Sequence, residues 1–368
     1  MNLNELSILS LYSAMAVYAL AFISFAFDLA KRSAAVKTAD EIAGLAARGE
    51  VAAGSGAASA GSGAATGRAG GAPLASSTAT LDAATPAGKA GAAASAGTIV
   101  NRISARIAND AATPYGRSKS LRIGVSLTVL AWAIHLMADV LRGFAAGRVP
   151  WANMYEFAMT GTLLIVTVFL IVLTRADLRF LGTFVTGMVL VLLGIAALRF
   201  YVEVAPLPPA LQSAWLVIHV FVASLGTGFF ALGFALSVVQ LLQFRREALV
   251  ASAGRMRLRF LSTLPSAATL ENLAYRVHII GFILWTFTLM AGSIWAEKAW
   301  GRYWGWDTKE VWTFIIWTIY AGYIHARATR GWRGSRSAWL AIVGFSAVMF
   351  NFGVVNVFFK GLHAYSGL

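Results

Sequence analysis

Long apolar segments, separated by short polar or basic ones, occupy most of this chain. A helix needs about 20 apolar residues to cross a hydrocarbon core about 30 Å thick. Segments of that order occur at 7–28, 121–141, 155–174, 180–199, 214–243, 275–295, 310–329 and 337–359. Each is expected to be helical, because backbone polar groups in lipid must be satisfied within the segment. The pattern predicts an all-α, polytopic integral membrane protein with about eight transmembrane helices.

The composition points to the same class. Hydrophobic residues make up 58% of the 368 residues, charged residues make up 12%, and the mean hydropathy is +0.69. A soluble domain has about 25% charged residues, so this composition excludes an ordinary soluble enzyme or binding domain.

The chain between the first two apolar segments has a different composition. It is a low-complexity sequence of Ala, Gly and Ser, which cannot bury enough side-chain surface to offset the entropy lost on ordering. We therefore predict a first transmembrane helix over 1–30, a disordered cytoplasmic loop over 31–120 and a seven-helix membrane domain over 121–368. The first helix is expected to be a retained anchor, because basic residues and no small-residue cleavage site follow it.

The basic residues predict an orientation, because Lys and Arg are kept preferentially on the cytoplasmic side of a membrane. Alternate loops share a side, and the loops after the first, third, fifth and seventh segments hold 23 of the 30 Lys and Arg residues. Both termini are therefore predicted to lie outside. Short basic runs beside the segments are expected to contact anionic lipid headgroups. The net charge of +14 is therefore explained by contact with the lipid bilayer and not by binding to nucleic acid.

An aromatic-rich stretch, WAEKAWGRYWGWDTKEVW at 295–312, lies on the predicted outer side. An interfacial aromatic belt explains one or two such residues but not this density. So much flat apolar surface is costly in water unless it covers a ligand. A porphyrin fits this description, because it has a broad π plane and anionic propionates that Lys298 or Arg302 is placed to meet.

Haem iron also needs axial ligands, and the chain has five histidines and no cysteine. His219 and His363 fall near the outer ends of their segments, at the depth of the aromatic stretch, so we predict that they approach an iron from opposite faces. His325 lies near the cytoplasmic face, where a second, inner site would be. His135 and His278 are interpreted as structural, because neither has aromatic neighbours in the sequence like those of the outer stretch.

Other classes of function are compared with this interpretation. A b-type electron-transfer cytochrome typically places two histidines on one membrane helix, and no segment here has two. A haem exporter or delivery subunit without synthase activity stays open as an alternative. The sequence has no HExxH motif of a metal hydrolase, and Asp307 and Glu310 suit the N-terminus of a helix, where carboxylates complement the helix dipole.

The segment GSIWAEKAWGRYWGWDTKEVWTFIIWTIYAGYIHAR resembles the tryptophan-rich WWD signature of haem-handling proteins in cytochrome c biogenesis. The likeness is to the membrane subunit of the System II cytochrome c synthase, the CcsA/ResC type, also called CcsB. It covers 275–368 closely, and PWANMYEF at 150–157 and WLVIHV at 215–220 support it. No counterpart is recognised for 30–118.

The resemblance implies a function as a haem-binding subunit of the synthase. Such a subunit receives haem b and presents it on the periplasmic side of the inner (plasma) membrane for thioether attachment to the CxxCH segment of apocytochrome c. A second, ResB-type subunit is the implied partner. The implied site residues are His219 and His363 as external iron ligands, His325 at the inner site, and Trp300, Trp304, Trp306 and Asp307 in the external WWD loop at 295–310. Asn153, Tyr155 and Glu156 match a family motif of no assigned role.

Overall fold

The computed structural model of the protein describes residues 2–58, 118–207, 212–252, 259–329 and 332–363. In these ranges the chain forms eight long α-helices and no β-strand. They are α1 (Leu3–Ala58), α2 (Lys119–Ala146), α3 (Met154–Leu173), α4 (Gly182–Arg199), α5 (Ala214–Ala251), α6 (Ala267–Trp300), α7 (Thr308–Ala328) and α8 (Ser335–Phe350). A π-helix, Asn351–Val355, and a final turn, α9 (Asn356–Phe358), follow α8. The all-α prediction is confirmed.

Seven of these helices are long and apolar enough to cross a membrane, which confirms the multi-pass membrane class. The remaining long helix, α7, covers the predicted segment 310–329 but is less apolar than the others. Its sequence includes three threonines, two tyrosines, His325 and Arg327, all of which lower its mean hydropathy. The helix packs against α6 and α8 and is the one place where the predicted count of about eight apolar spans differs from the structure.

The chain divides into two compact units, 1–30 with 115–368, and 31–114. Within the second unit the structure describes 31–58, and this part is helical as the continuation of α1. Residues 31–58 are therefore helical in the structure, whereas the sequence predicted a disordered loop over 31–120. Alanine has the highest helix propensity, and Lys37 and Glu41 form an i,i+4 ion pair there. Residues 59–117 lie outside the described ranges, so their predicted disorder stays a prediction.

In the larger unit, α5 and α6 pack along their length. Small residues in membrane helices allow such close approach. Gly233 of α5 is one of them, because a Cβ there would overlap the buried ring of His278 on α6. This packing aligns the beginning of α5 with the end of α6.

A buried ion cluster joins the end of α2 to the beginning of α3. The carboxylate of Glu156 is fully buried and accepts hydrogen bonds from Arg142 at 3.0 Å and Arg148 at 2.6 Å. The side chain of Asn153 caps α3 by accepting from the N–H of Glu156, and the Tyr155 ring lies 5.4 Å from the guanidinium of Arg142. These contacts give the PWANMYEF segment a structural role, which is to start α3 and hold it against α2.

A second ion pair ties the opposite ends of the helices together. Arg327 of α7 lies 2.8 Å from Glu271 of α6, and the Glu271 carboxylate also accepts from the N–H of Gly334, which precedes α8. Because consecutive helices run in opposite directions, the beginnings of α3, α5 and α7 meet the ends of α6 and α8 on the other side.

Candidate functional site

A cavity of about 170 Å³ lies where these helix ends meet, with walls from α3, α5, α6, α7 and α8. Most of its lining is aliphatic or aromatic. Five ionisable side chains also line it: His219, Tyr303, Lys309, Glu310 and His363. An apolar cavity with a few convergent polar groups is typical of a ligand-binding site.

His219 lies in the second turn of α5 and faces α6. Its Nδ1 lies 3.0 Å from the backbone carbonyl oxygen of Thr288. A carbonyl oxygen only accepts hydrogen bonds, so Nδ1 must carry the proton and donate it, and Nε2 is left for another partner. Gly292, one turn further along α6, makes room for the ring, because a Cβ there would lie 2.7 Å from Cε1 of His219.

His363 follows α9, and its position is fixed by Asp307, the N-cap residue of α7. Its Nδ1 lies 2.6 Å from Oδ2 of Asp307. This hydrogen bond, supported by a second one from the N–H of Leu362, lowers the pKa of Asp307, so the group is an acceptor-only carboxylate at neutral pH. Nδ1 of His363 is therefore the donor, and Nε2 is again the nitrogen left for another partner.

Both imidazoles contact the same indole. Trp295, near the end of α6, is 2% exposed and stacks on His219 with ring centroids 5.9 Å apart and an interplanar angle of 17°. Its centroid lies 5.6 Å from that of His363, at an angle of 64°. The structure thus brings the two predicted external histidines to one cavity. The role of Trp295 was not predicted, because the sequence does not show which tryptophan packs against the histidines.

The predicted WWD residues occupy three different environments. Trp300 lies edge-on to His363 at a centroid distance of 4.9 Å, and Trp304 lines the cavity. Trp306 does not line the cavity and is 77% exposed, with its ring 6.0 Å from that of Trp304. The tryptophans therefore do not form one continuous aromatic surface.

Glu310 holds the WWD loop in place. Its carboxylate accepts from the N–H of Gly305 at 2.8 Å and from the N–H of Asp307 at 3.0 Å, the residues on either side of Trp306. The second bond is part of a capping box at the beginning of α7. Trp306 itself has φ of 59°, a left-handed conformation that is unfavourable for a residue with a side chain. As predicted, Asp307 and Glu310 are helix N-terminal residues.

Lys309 is the cation on the cavity wall. Its Nζ donates to the carbonyl oxygen of Asn351, 3.2 Å away in the π-helix, and to Oδ1 of Asn356. Both partners are neutral, and burial lowers the pKa of Lys309 to about 7. Lys298 and Arg302, the cations considered from the sequence, are exposed and do not line the cavity.

The other histidines lie elsewhere. The side chain of His325, predicted for an inner site, is exposed near the end of α7. His278 is fully buried between α5, α6 and α7, with Tyr320 and Tyr323 at centroid distances of 5.2 and 5.0 Å. His278 therefore has aromatic neighbours in space that its sequence surroundings do not show, and its structural role stays a prediction. His135 is also fully buried, and its ring lies edge-on to that of Tyr18.

One protein family matches the part of the chain that forms the cavity. Residues 151–363 match the family described as Cytochrome C assembly protein, a range that begins just before α3 and ends at His363.

Several relatives carry the name cytochrome c biogenesis protein CcsA. The one from Guillardia theta is 35% identical over 67% of this chain and 86% of its own length. Those from Porphyra purpurea and Parasynechococcus marenigrum (strain WH8102) are 32% and 33% identical over 69% and 67% of this chain, and over 89% and 88% of their own lengths. A solved structure, cytochrome c heme lyase CcmF, is 18% identical with a TM-score of 0.48, over 69% of this chain and 45% of that one.

Proposed function

Because this chain belongs to the Cytochrome C assembly protein family, as a CcsA-type membrane protein of cytochrome c biogenesis, we propose that it binds haem b between His219 and His363. The bound haem is presented for thioether attachment to the CxxCH segment of apocytochrome c. The side that presents it is the periplasmic face of the inner membrane, and both chain termini lie on that side.

One observation carries the proposal. Two imidazoles from distant parts of the chain line one aromatic cavity, and each has its Nδ1 occupied by an acceptor and its Nε2 left for another partner. Histidines that bind iron usually have this arrangement, because the partner of the second nitrogen fixes the ring and its tautomer. The cavity volume of about 170 Å³ is below the roughly 300 Å³ of a pocket for a drug-sized ligand, so the cavity must widen to take a whole haem.

The remaining wall suits the rest of the ligand. Trp295 and Trp304 offer ring surface to a porphyrin plane, and Lys309 offers an ammonium group to a propionate. Phe157 of α3 adds a further aromatic side chain.

Attachment joins each haem vinyl group to a client cysteine through a thioether bond. The protein contributes orientation, because it places the vinyl groups where the two client thiols reach them. Displaceable histidine ligands suit this task better than permanent ones, since the client's own histidine must become a ligand. The chain has no cysteine that could compete with the client thiols.

A ResB-type second subunit completes the synthase in this proposal. His325 would serve an inner haem site together with a ligand from that subunit. The exposure of the His325 side chain suits such a shared site. If the second iron ligand comes from the partner subunit, His325 must be accessible to that subunit.

The test is the absorption spectrum of the purified protein as wild type, His219→Gly, His363→Gly and His325→Ala. We expect a spectrum of bis-histidine haem in the wild type, loss of haem in both glycine variants, and its recovery when imidazole is added. The His325→Ala variant should keep the external-site spectrum. Wild-type haem content and spectrum in both glycine variants would contradict the proposal. Haem that binds normally but is never transferred to a CxxCH peptide would favour a delivery subunit without synthase activity.

A further inference from the structure

The two histidines that face the cavity have unequal hydrogen-bond partners. His363 donates to a carboxylate at 2.6 Å, whereas His219 donates to a neutral backbone carbonyl at 3.0 Å. The carboxylate of Asp307 is itself held in place by the N–H of Leu362 and by its position as the N-cap of α7. The carbonyl of Thr288 lies inside α6, where it also serves the helix's own hydrogen bonding.

This difference affects how strongly each ring binds a metal. A hydrogen bond to a carboxylate draws the Nδ1 proton away from the ring and raises the electron density at Nε2, which makes the imidazole a stronger ligand. Charge-assisted hydrogen bonds are also shorter and about twice as strong as neutral ones. The carbonyl partner of His219 gives that ring no comparable increase in basicity.

We propose that the two histidines would have different functions toward the haem: His363, supported by Asp307, would be the retained ligand, and His219 would be the ligand that the histidine of the client CxxCH segment replaces. This inference rests on the proposed haem site. The exchange breaks one iron–nitrogen bond and forms another, with no change in oxidation state. Asp307 is a positioning residue in this scheme, since it acts on the iron only through His363.

The position of His219 is compatible with release. Its backbone is fixed in α5, so only the side chain has to rotate, and the hydrogen bond to Thr288 can keep the ring close to the site. Release of His363 would also break a hydrogen bond to a carboxylate, between two side chains that are only 19% and 8% exposed. Breaking that bond costs more than breaking a hydrogen bond between neutral groups.

Carbon monoxide distinguishes the two ligands. When it binds to ferrous haem in the purified full-length protein, it replaces the more labile histidine, and the Fe–C and C–O stretching frequencies report the ligand that stays on the opposite face. We would compare wild type with Asp307→Asn, which keeps the shape and capping ability of the side chain but removes its charge. Asp177→Asn, at an exposed ion pair with Arg179 between α3 and α4, is the matched control.

We expect Asp307→Asn to shift both frequencies, to leave the rate of carbon monoxide binding within about twofold, and to lower haem affinity about 10- to 100-fold. Asp177→Asn should change none of these. Unchanged frequencies together with faster binding in Asp307→Asn would show that His363 is the ligand that leaves, and would overturn the inference.

A second comparison does not depend on the Asp307 variant. When added imidazole has restored haem and carbon monoxide then binds, His219→Gly should give the wild-type frequencies, because the retained ligand is the same, whereas His363→Gly should differ. Agreement of the wild type with His363→Gly would refute the inference. A wild-type protein that showed no bis-histidine haem at all would instead refute the proposed function.

Discussion

Replacement of Gly292 by alanine is expected to displace His219 without changing any group that would bond to the ligand. The added Cβ would lie 2.7 Å from Cε1 and 2.9 Å from Nδ1 of His219. Non-bonded carbon atoms normally approach to about 3.5–4.0 Å, so the ring must move by roughly 1 Å. That movement would stretch the 3.0 Å hydrogen bond to Thr288 and turn Nε2 away from the cavity.

The magnitude follows from this geometry. Insertion of one methyl group into a packed interface costs about 1–3 kcal/mol in the free energy of unfolding. A misplacement of about 1 Å at a reacting group can reduce a rate about 100-fold. We therefore expect Gly292→Ala to fold, to lose most of its low-spin haem signal and to transfer haem to a CxxCH peptide about 100-fold more slowly.

The assay combines the haem absorption spectrum, the transfer rate and thermal unfolding. Gly194→Ala is the matched control, because it adds the same methyl group to membrane helix α4 with no atom within 4 Å. It should change the free energy of unfolding by less than about 0.5 kcal/mol and leave haem binding unchanged.

A double variant provides the result that would refute this reasoning. If the clash is with the His219 ring alone, Gly292→Ala should have no further effect in a His219→Gly background. A further loss of haem or of stability in the double variant would show that the methyl group acts on another part of the site.

Two further predictions concern charged groups. Lys309→Met should weaken haem binding about 10- to 100-fold, the effect of one charge-assisted hydrogen bond, and should have no effect on the dimethyl ester of haem, which lacks the carboxylates. Because the pKa of Lys309 is about 7, haem affinity should also fall as pH rises through 7 in the wild type but not in Lys309→Met, and equal pH profiles would contradict the assignment. Glu156→Gln should destabilise the protein by about 3–5 kcal/mol in thermal unfolding, because it leaves Arg142 and Arg148 without their buried carboxylate. The exposed-pair control Asp177→Asn should cost less than about 1 kcal/mol, and a similar value for Glu156→Gln would show that the cluster contributes little.

The fold was largely predictable because the bilayer constrains it so strongly. An apolar segment of about 20 residues in lipid has almost no alternative to a helix, so the segments and the class followed from hydropathy alone. The errors fell where that constraint is weak. In α7, polar side chains are tolerated because the helix packs against α6 and α8, and α1 continues to Ala58 because alanine has the highest helix propensity.

The candidate site was predictable only as far as depth along the helices determines it. His219 and His363 were placed together because each lies close to the end of an apolar segment on the same predicted side. The hydrogen bonds that His219 donates to Thr288 and His363 donates to Asp307 depend on how helices rotate against one another, which hydropathy does not specify. Lys309 was missed for a related reason, because its acceptor on Asn351 belongs to a π-helix, and such local widening of a helix has no clear sequence signal.

The tryptophans show why density of a residue type is a weak guide to its role. In the sequence they form one aromatic stretch, but a helix end, a tight loop and a capping box divide them. Trp295 is a buried indole, Trp300 packs against His363, Trp304 lines the cavity and Trp306 is exposed. The left-handed backbone at Trp306 costs about 1–2 kcal/mol. The two hydrogen bonds that the Glu310 carboxylate accepts from Gly305 and Asp307, on either side of Trp306, offset that cost. Glu310 thereby determines where the loop turns, and with it the position of Asp307 beside His363.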